Sequence, residues 1–203
     1  MLLEWLLRLR GGHFFVALPT GNNMQFMKKL SLKELNRISV SDFKKKDKTP
    51  IVLVLDNIRS GNNVGSAFRT ADAFALEKIY LCGITAKPPH REILKTAIGA
   101  TDSMDWVYFD TTESAVKSLK KQGFHIAAIE QVDKGVFLQD FEMPKEEKIA
   151  LVFGNEVKGV GETIVNLADS CIEIPQFGTK HSLNISVCLG IVVWDLFKKI
   201  TFE

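Results

Sequence analysis

Three short stretches of the chain hold polar side chains beyond what ordinary turns need. In "DNIRSGNNVGSAFRTADAF", residues 56–74, Asn57, Arg59, Asn62, Asn63 and Gly65 crowd a strand-to-helix loop, and Arg69 follows on the helix. Asn and Gly are ordinary turn and cap residues, so turn chemistry alone accounts for Gly61 to Gly65. It does not account for Arg69, whose neighbours Ala67, Phe68, Ala71 and Ala73 are small or apolar. They let a guanidinium lie close to a sheet edge and hold a phosphate or carboxylate bidentately.

In "LVFGNEVKGVGETI", residues 151–164, a buried strand ends at Gly154, and Glu156 stands two residues beyond it, beside Gly159 and Gly161. Glycines there permit close approach of backbone to a ligand or a left-handed turn. The pattern is neither G-x-G-x-x-G nor a phosphate loop. Glu156 either favours the next helix through its charge or finds a partner among the Arg and Asn groups of the first loop. The third stretch, "IEIPQFGTKHSLNISVCLGIVVWDLF", spans 172–197. Pro175 stops a strand, and Ser182 is a favoured cap for a helix that then begins with Leu183 and Asn184. Asn184-Ile185-Ser186 also spells an N-glycosylation acceptor, but it runs directly into the apolar helix face of Ile185, Leu189, Val192, Val193 and Leu196.

The elements that must position these loops alternate along the chain. "IVLVLD", 51–56, is a continuous run of branched apolar residues, as in a strand covered on both faces. Helix 64–75, strand "KIYLCGI", helix 91–98, strand "VYF" and helix 112–121 follow, then strands "FHIAAIE" and "KIALVFG", helix 160–168, strand "CIEIP" and a final helix from Ser182 to Lys199. This order predicts an α/β fold, a mostly parallel sheet flanked by helices. In such sheets ligands bind outside the carboxyl ends of the strands, where all three stretches lie.

Ahead of this pattern, "SLKELNRISVSDFKKK" from Ser31 reads as a short amphipathic helix with Leu32, Leu35 and Ile38 on one face. Residues 27–49 thus form a basic N-terminal helix and linker, and segment 24–50 carries eight lysines and arginines against three carboxylates, a local charge of +5. The chain thus divides into an N-terminal extension outside the fold over 1–26, this basic segment, and one α/β domain over 50–203. The extension is apolar, but Glu4, Arg8 and Arg10 spoil both a secretory core and a membrane span. A cytoplasmic protein with no membrane partner is the expectation. The overall charge is only +2, so affinity for nucleic acid must reside in local patches. Cys82, Cys171 and Cys188 are scattered and odd in number, which supports neither a disulfide framework nor a zinc site, and the four histidines show no metal-ligand spacing.

Taken together and in order, "NNVGSAFRTADAF", "LVFGNEVKGV" and "IEIPQFGTKHSLNISVCLGI" resemble the three motifs of the SpoU-type, or TrmH-like, RNA 2′-O-ribose methyltransferases of the SPOUT superfamily. The resemblance covers roughly residues 50–199. It implies a domain whose C-terminal part is threaded into a trefoil knot, with S-adenosylmethionine bound there, no metal, and a homodimer that completes the site. It further implies methyl transfer to a ribose 2′-hydroxyl of tRNA or rRNA. Matched position by position, Gly154, Ile174 and Leu183 are the cofactor contacts, and Asn63, Arg69, Glu156, Ser182 and Asn184 are the polar residues of the active site. Two other readings stand beside this one: a SPOUT base methyltransferase acting on tRNA, and a non-catalytic RNA-binding module.

Overall fold

A computed structural model of the chain describes residues 27–31, 34–143 and 148–202. The proposed extension over 1–26 lies outside these residues. Within 39–203 the backbone forms seven strands, β1 (Thr49–Asp56), β2 (Leu76–Cys82), β3 (Trp106–Phe109), β4 (Phe124–Ile129), β5 (Val136–Phe137), β6 (Lys148–Phe153) and β7 (Ser170–Glu173). Among the described residues seven α-helices accompany them: α1 (Val40–Lys45), α2 (Gly61–Ala73), α3 (Arg91–Ala97), α4 (Ala100–Ser103), α5 (Thr112–Lys121), α6 (Glu162–Leu167) and α7 (Ile185–Phe202). The strands make one sheet in the order β3-β2-β1-β6-β4-β7-β5, and every pairing is parallel. An α/β fold with a parallel sheet is therefore what the alternating pattern produces.

The apolar run of β1 has a simple cause. Successive side chains of a strand point to opposite faces, and here both faces are covered. Ile51, Leu53 and Leu55 join a core with Val64 and Phe68 of α2, Ile93 of α3 and Leu189, Val192 and Val193 of α7. Val52 and Val54 enter a second core with Ala115, Val116 and Leu119 of α5 and Ile164 of α6. Buried Asp56 ends the strand as an acceptor, receiving hydrogen bonds from the Thr112 hydroxyl, Asn57 Nδ2 (2.8 Å) and Gly161 N (3.4 Å).

The basic segment departs from expectation. Ser31 donates from both its backbone N and Oγ to Glu34 Oε2 at 2.7 Å, and both residues are exposed. Asn36 then adopts a left-handed φ of 43°, which a continuous helix cannot contain, while Leu35 and Ile38 are exposed. The helix of this region, α1, begins only after Ser39, whose Oγ accepts from Asp42 N (3.1 Å). Leu32 lies outside the described residues. A second break falls after α3, where Ile98 and Gly99 are both left-handed (φ 48° and 85°) and separate it from the single turn α4. Neither α4 nor two-residue β5 is long enough to show a hydrophobic period.

The strand order does the essential positioning. β6 lies between β1 and β4, so the loops after β1, β6, β4 and β7 emerge side by side at the carboxyl edge of the sheet. Because Leu53 is fully buried in the middle of β1, Leu53→Ala is expected to cost about 2–5 kcal/mol in urea unfolding. Exposed Leu94→Ala should stay within about 0.5 kcal/mol.

Candidate active site

Glu156, on the loop after β6, is the hub of the first two loops. Its Oε2 accepts from Arg59 N at 2.9 Å, and its Oε1 accepts from Ser60 N (3.0 Å) and Asn63 Nδ2 (3.0 Å). Ser60 in turn caps α2, its Oγ accepting from Asn63 N. Partial burial by itself pushes the Glu156 carboxyl up, but the donated bonds from the Arg59 and Ser60 backbone and the Asn63 amide outweigh it and hold the group below its ordinary value. The carboxylate therefore fixes the loop and holds an ionised form; its oxygens are engaged by these donors and not by Arg69.

The loop after β6 folds back on its own strand end. Asn155 and Gly159 exchange backbone hydrogen bonds (3.0 and 2.9 Å), and Asn155 Oδ1 receives Val157 N and Lys158 N. Asn155 Nδ2 reaches across to Asn57 O at 2.7 Å. A Cβ on Gly154 would lie 2.1 Å from Gly159 C and Val160 N, so only glycine permits this return. Glu130, directly after β4, closes the other side by accepting Val160 N on Oε2 at 2.8 Å.

The third loop corrects one expectation. The last helix starts at Ile185, three residues beyond the predicted start, and Asn184 rather than Ser182 is its cap. Asn184 Oδ1 accepts from Ser186 N (2.9 Å) and Ser186 Oγ (2.6 Å), and its carbonyl takes the first helical bond from Cys188 N. Both residue types cap well, and the shorter helix leaves Ser182 and Leu183 free to face the loop edge. The Asn184 amide has a second partner, Asn63 Oδ1, at 3.4 Å.

The loops after β6 and β7, with the end of β4, enclose a cavity of ≈ 590 Å³ lined by Gly154, Glu156, Ile174, Ser182, Leu183 and Asn184 among others. Six of the eight candidate residues thus share one cavity, and Asn63 is tied to it through Glu156 and Asn184. Arg69 is not part of it. It is exposed on α2 and lines a separate groove of ≈ 460 Å³ with Ser66, Thr70, Lys95, Thr96 and Ile98. Sequence reasoning passed over Glu130 and Asn155; the signal at Glu130, a lone carboxylate directly at the carboxyl end of a strand, is a faint one. Cys188 also lines the cavity, and burial pushes its thiol up to about 11, as it pushes Cys82 to about 12, so both stay protonated and behave as small apolar groups.

Two outcomes test this geometry. Asn184→Ala should lose about 1 kcal/mol of stability, whereas Ser182→Ala should change it by less than about 0.5 kcal/mol, both read by denaturant unfolding. Because the folded Glu156 carboxyl titrates below its ordinary value of 4.5, its stabilising contribution is present at neutral pH and is lost as pH falls through the lowered pKa. The melting-temperature gap between wild type and Glu156→Gln should accordingly be open near pH 7 and narrow as pH falls through the lowered pKa, and modest throughout because the side chain is exposed.

The SpoU rRNA Methylase family model matches residues 50–194, which contain all three loops. A tRNA (guanosine(18)-2′-O)-methyltransferase of Aquifex aeolicus is 32% identical over 170 residues, covering 80% of this chain and 75% of the relative. A 23S rRNA (guanosine-2′-O-)-methyltransferase of Vibrio parahaemolyticus is 26% identical over 168 residues, 82% of this chain and 66% of the relative. Among solved structures, an AdoMet-bound rRNA methyltransferase from Sinorhizobium meliloti superposes with a TM-score of 0.70 at 23% identity, over 79% of this chain and 61% of the other. A TrmH/SpoU tRNA modifying enzyme of Aquifex aeolicus gives 0.70 at 24% identity, over 79% and 81%. The structural likenesses establish a shared fold, and the family match runs through every loop that builds the cavity: the chain belongs to the SpoU rRNA methylase family.

Proposed function

We propose that this protein is an S-adenosylmethionine-dependent RNA methyltransferase that methylates a ribose 2′-hydroxyl of tRNA or rRNA. The observation that carries the proposal is the cavity lined by the second and third motif loops, to which Glu156 and Asn184 tie the first, in a chain whose relatives are named as guanosine 2′-O-methyltransferases. The cavity suits the cofactor. Its volume is that of an ordinary small-molecule site, Gly154 leaves backbone bare at the strand end, and Ile174 and Leu183 offer apolar surface to an adenine ring.

Bound there, S-adenosylmethionine supplies an electrophilic methyl group. A ribose hydroxyl is a weak nucleophile, and the protein must place it in line, help it lose a proton and stabilise the oxygen's developing charge. Glu156 holds the loops after β1 and β6 in fixed relation, and Asn63 and Asn184 present amides that orient groups at the cavity mouth. Ser182, freed from capping, adds a hydroxyl to the same rim. A guanidinium stays protonated and makes a poor base. Arg69 is therefore assigned to gripping the phosphate beside the target ribose and stabilising the oxyanion.

Arg69 lies outside the cofactor cavity of its own chain, which supports a homodimer in which a second copy completes the site. Exposed Val187, Ile191 and Trp194 on α7 give such a dimer an apolar surface. The trefoil knot of the C-terminal part belongs to the same reading, supported by the insertion of β6 between β1 and β4 and by the tight return of the loop after it. We also place the protein in the cytoplasm, with the tRNA or rRNA it is proposed to methylate.

Purified protein and total tRNA or rRNA, assayed for nuclease-resistant 2′-O-methylated dinucleotides, test the reaction. Arg69→Ala should lower turnover by about 10²-fold or more while leaving cofactor affinity nearly intact. Substantial residual turnover would remove Arg69 from its role, and methylation found on a base would replace the ribose assignment.

A further inference from the structure

Glu130 is the one carboxylate at the cavity that none of the three motifs contains. It follows β4 directly, and its backbone N is held by Ile172 O of β7 at 3.2 Å. Its side chain lines the cofactor cavity in company with Gly154, Ile174 and Leu183. Oε2 accepts from Val160 N (2.8 Å) and Oε1 from Gln131 N (2.9 Å), so both oxygens are fixed by backbone donors. A Cβ on Gly159, which has a left-handed φ of 67°, would fall 2.1 Å from Oε2. The loop thus presses its bare backbone against the carboxylate and leaves no freedom for it to turn away.

A carboxylate has about four lone-pair positions, and these two bonds use two of them. What remains is an immobile pair of acceptors at a strand's carboxyl end, on a half-buried side chain beside an apolar slot. The chemical complement of two adjacent acceptors is a vicinal diol, whose two O–H groups donate side by side. The same physics operates in doubly wound dinucleotide folds, where an acidic side chain at a strand end receives ribose hydroxyls.

Building on the cofactor assignment above, we infer that Glu130 binds the ribose 2′- and 3′-hydroxyls of the cofactor, and so sets how the adenosine half lies between Gly154 and Leu183. In this role it touches cofactor and not RNA. It also couples cofactor binding to the loop after β6, because the atoms that receive the diol also hold Val160 N.

The test is calorimetric binding of S-adenosylhomocysteine and of its 2′,3′-dideoxy analogue to wild type and Glu130→Gln. Glutamine keeps the side-chain shape and one acceptor, which can stay with Val160 N while the bond from Gln131 N is given up; coincident melting curves check that the loop is retained. Wild type should bind the dideoxy analogue at least about tenfold more weakly than the parent, and E130Q should bind the parent about tenfold more weakly than wild type. For the dideoxy analogue the two proteins should be nearly equal, since the contact is already absent. An equal loss for both ligands, or no loss for either, overturns the assignment. A wild-type preference of less than twofold between the two ligands also overturns it, whatever the variant does. Failure of wild type to bind S-adenosylhomocysteine at all overturns the cofactor reading itself, and is told apart by that first titration.

Discussion

The pairing of β1 with β6, from Ile51 against Ile149 to Leu55 against Phe153, sets side by side two strand ends that are far apart in sequence. Without it, Glu156 has no Arg59 or Ser60 backbone to receive, Asn155 cannot reach Asn57, and the loop after β6 that lines the cavity loses its anchor. The pairing is secured less by hydrogen bonds than by burial, since β1 and β6 are apolar on both faces and neither can be exposed on either side at low cost. The polar network at the carboxyl edge is assembled on top of that burial. Its parts are individually modest, and they function because the sheet beneath them does not move.

Two kinds of side chain hold the cavity rim, and they differ in what they demand. Glu156 and Glu130 are anions satisfied by backbone N–H groups, an arrangement that needs correct loop geometry but no partner cation. Asn155 and Asn184 are amides, which donate and accept at once, so each ties its own loop together and still reaches a neighbour. Gly154 and Gly159 make both possible by allowing backbone to approach where any side chain would intrude. Ordinary turn chemistry and site chemistry are therefore carried out by the same residues.

That double use explains what could be read from the sequence. The strands β1, β4 and β6 and the helices α2 and α5 announce themselves by apolar period and length, and the parallel sheet follows from their alternation. Strand order is another matter: nothing local in "KIALVF" says that it inserts between β1 and β4. Asn184 was legible as a polar residue at a helix start, but both Ser182 and Asn184 cap well, and only tertiary packing decides which does. Glu130 was hidden because one carboxylate after one strand is unremarkable until its loop neighbours are known. The stretch from Ser31 misled for the opposite reason, since Leu32, Leu35 and Ile38 have the spacing of a helix face, yet Asn36 is left-handed and Leu35 and Ile38 are exposed.

The partners in the β1–β6 register are separated by 98 positions in the chain, as with Ile51 and Ile149. The units β1-α2-β2-β3 and α5-β4 can each gather from nearby residues, but closing β6 into the gap between β1 and β4 needs a loop of nearly half the polypeptide to be brought home. Such closure is entropically slow, and non-local parallel strands are among the last contacts to form. Cofactor-binding competence is then acquired late in folding and all at once, and a growing chain on the ribosome has no site until most of its C-terminal half has emerged.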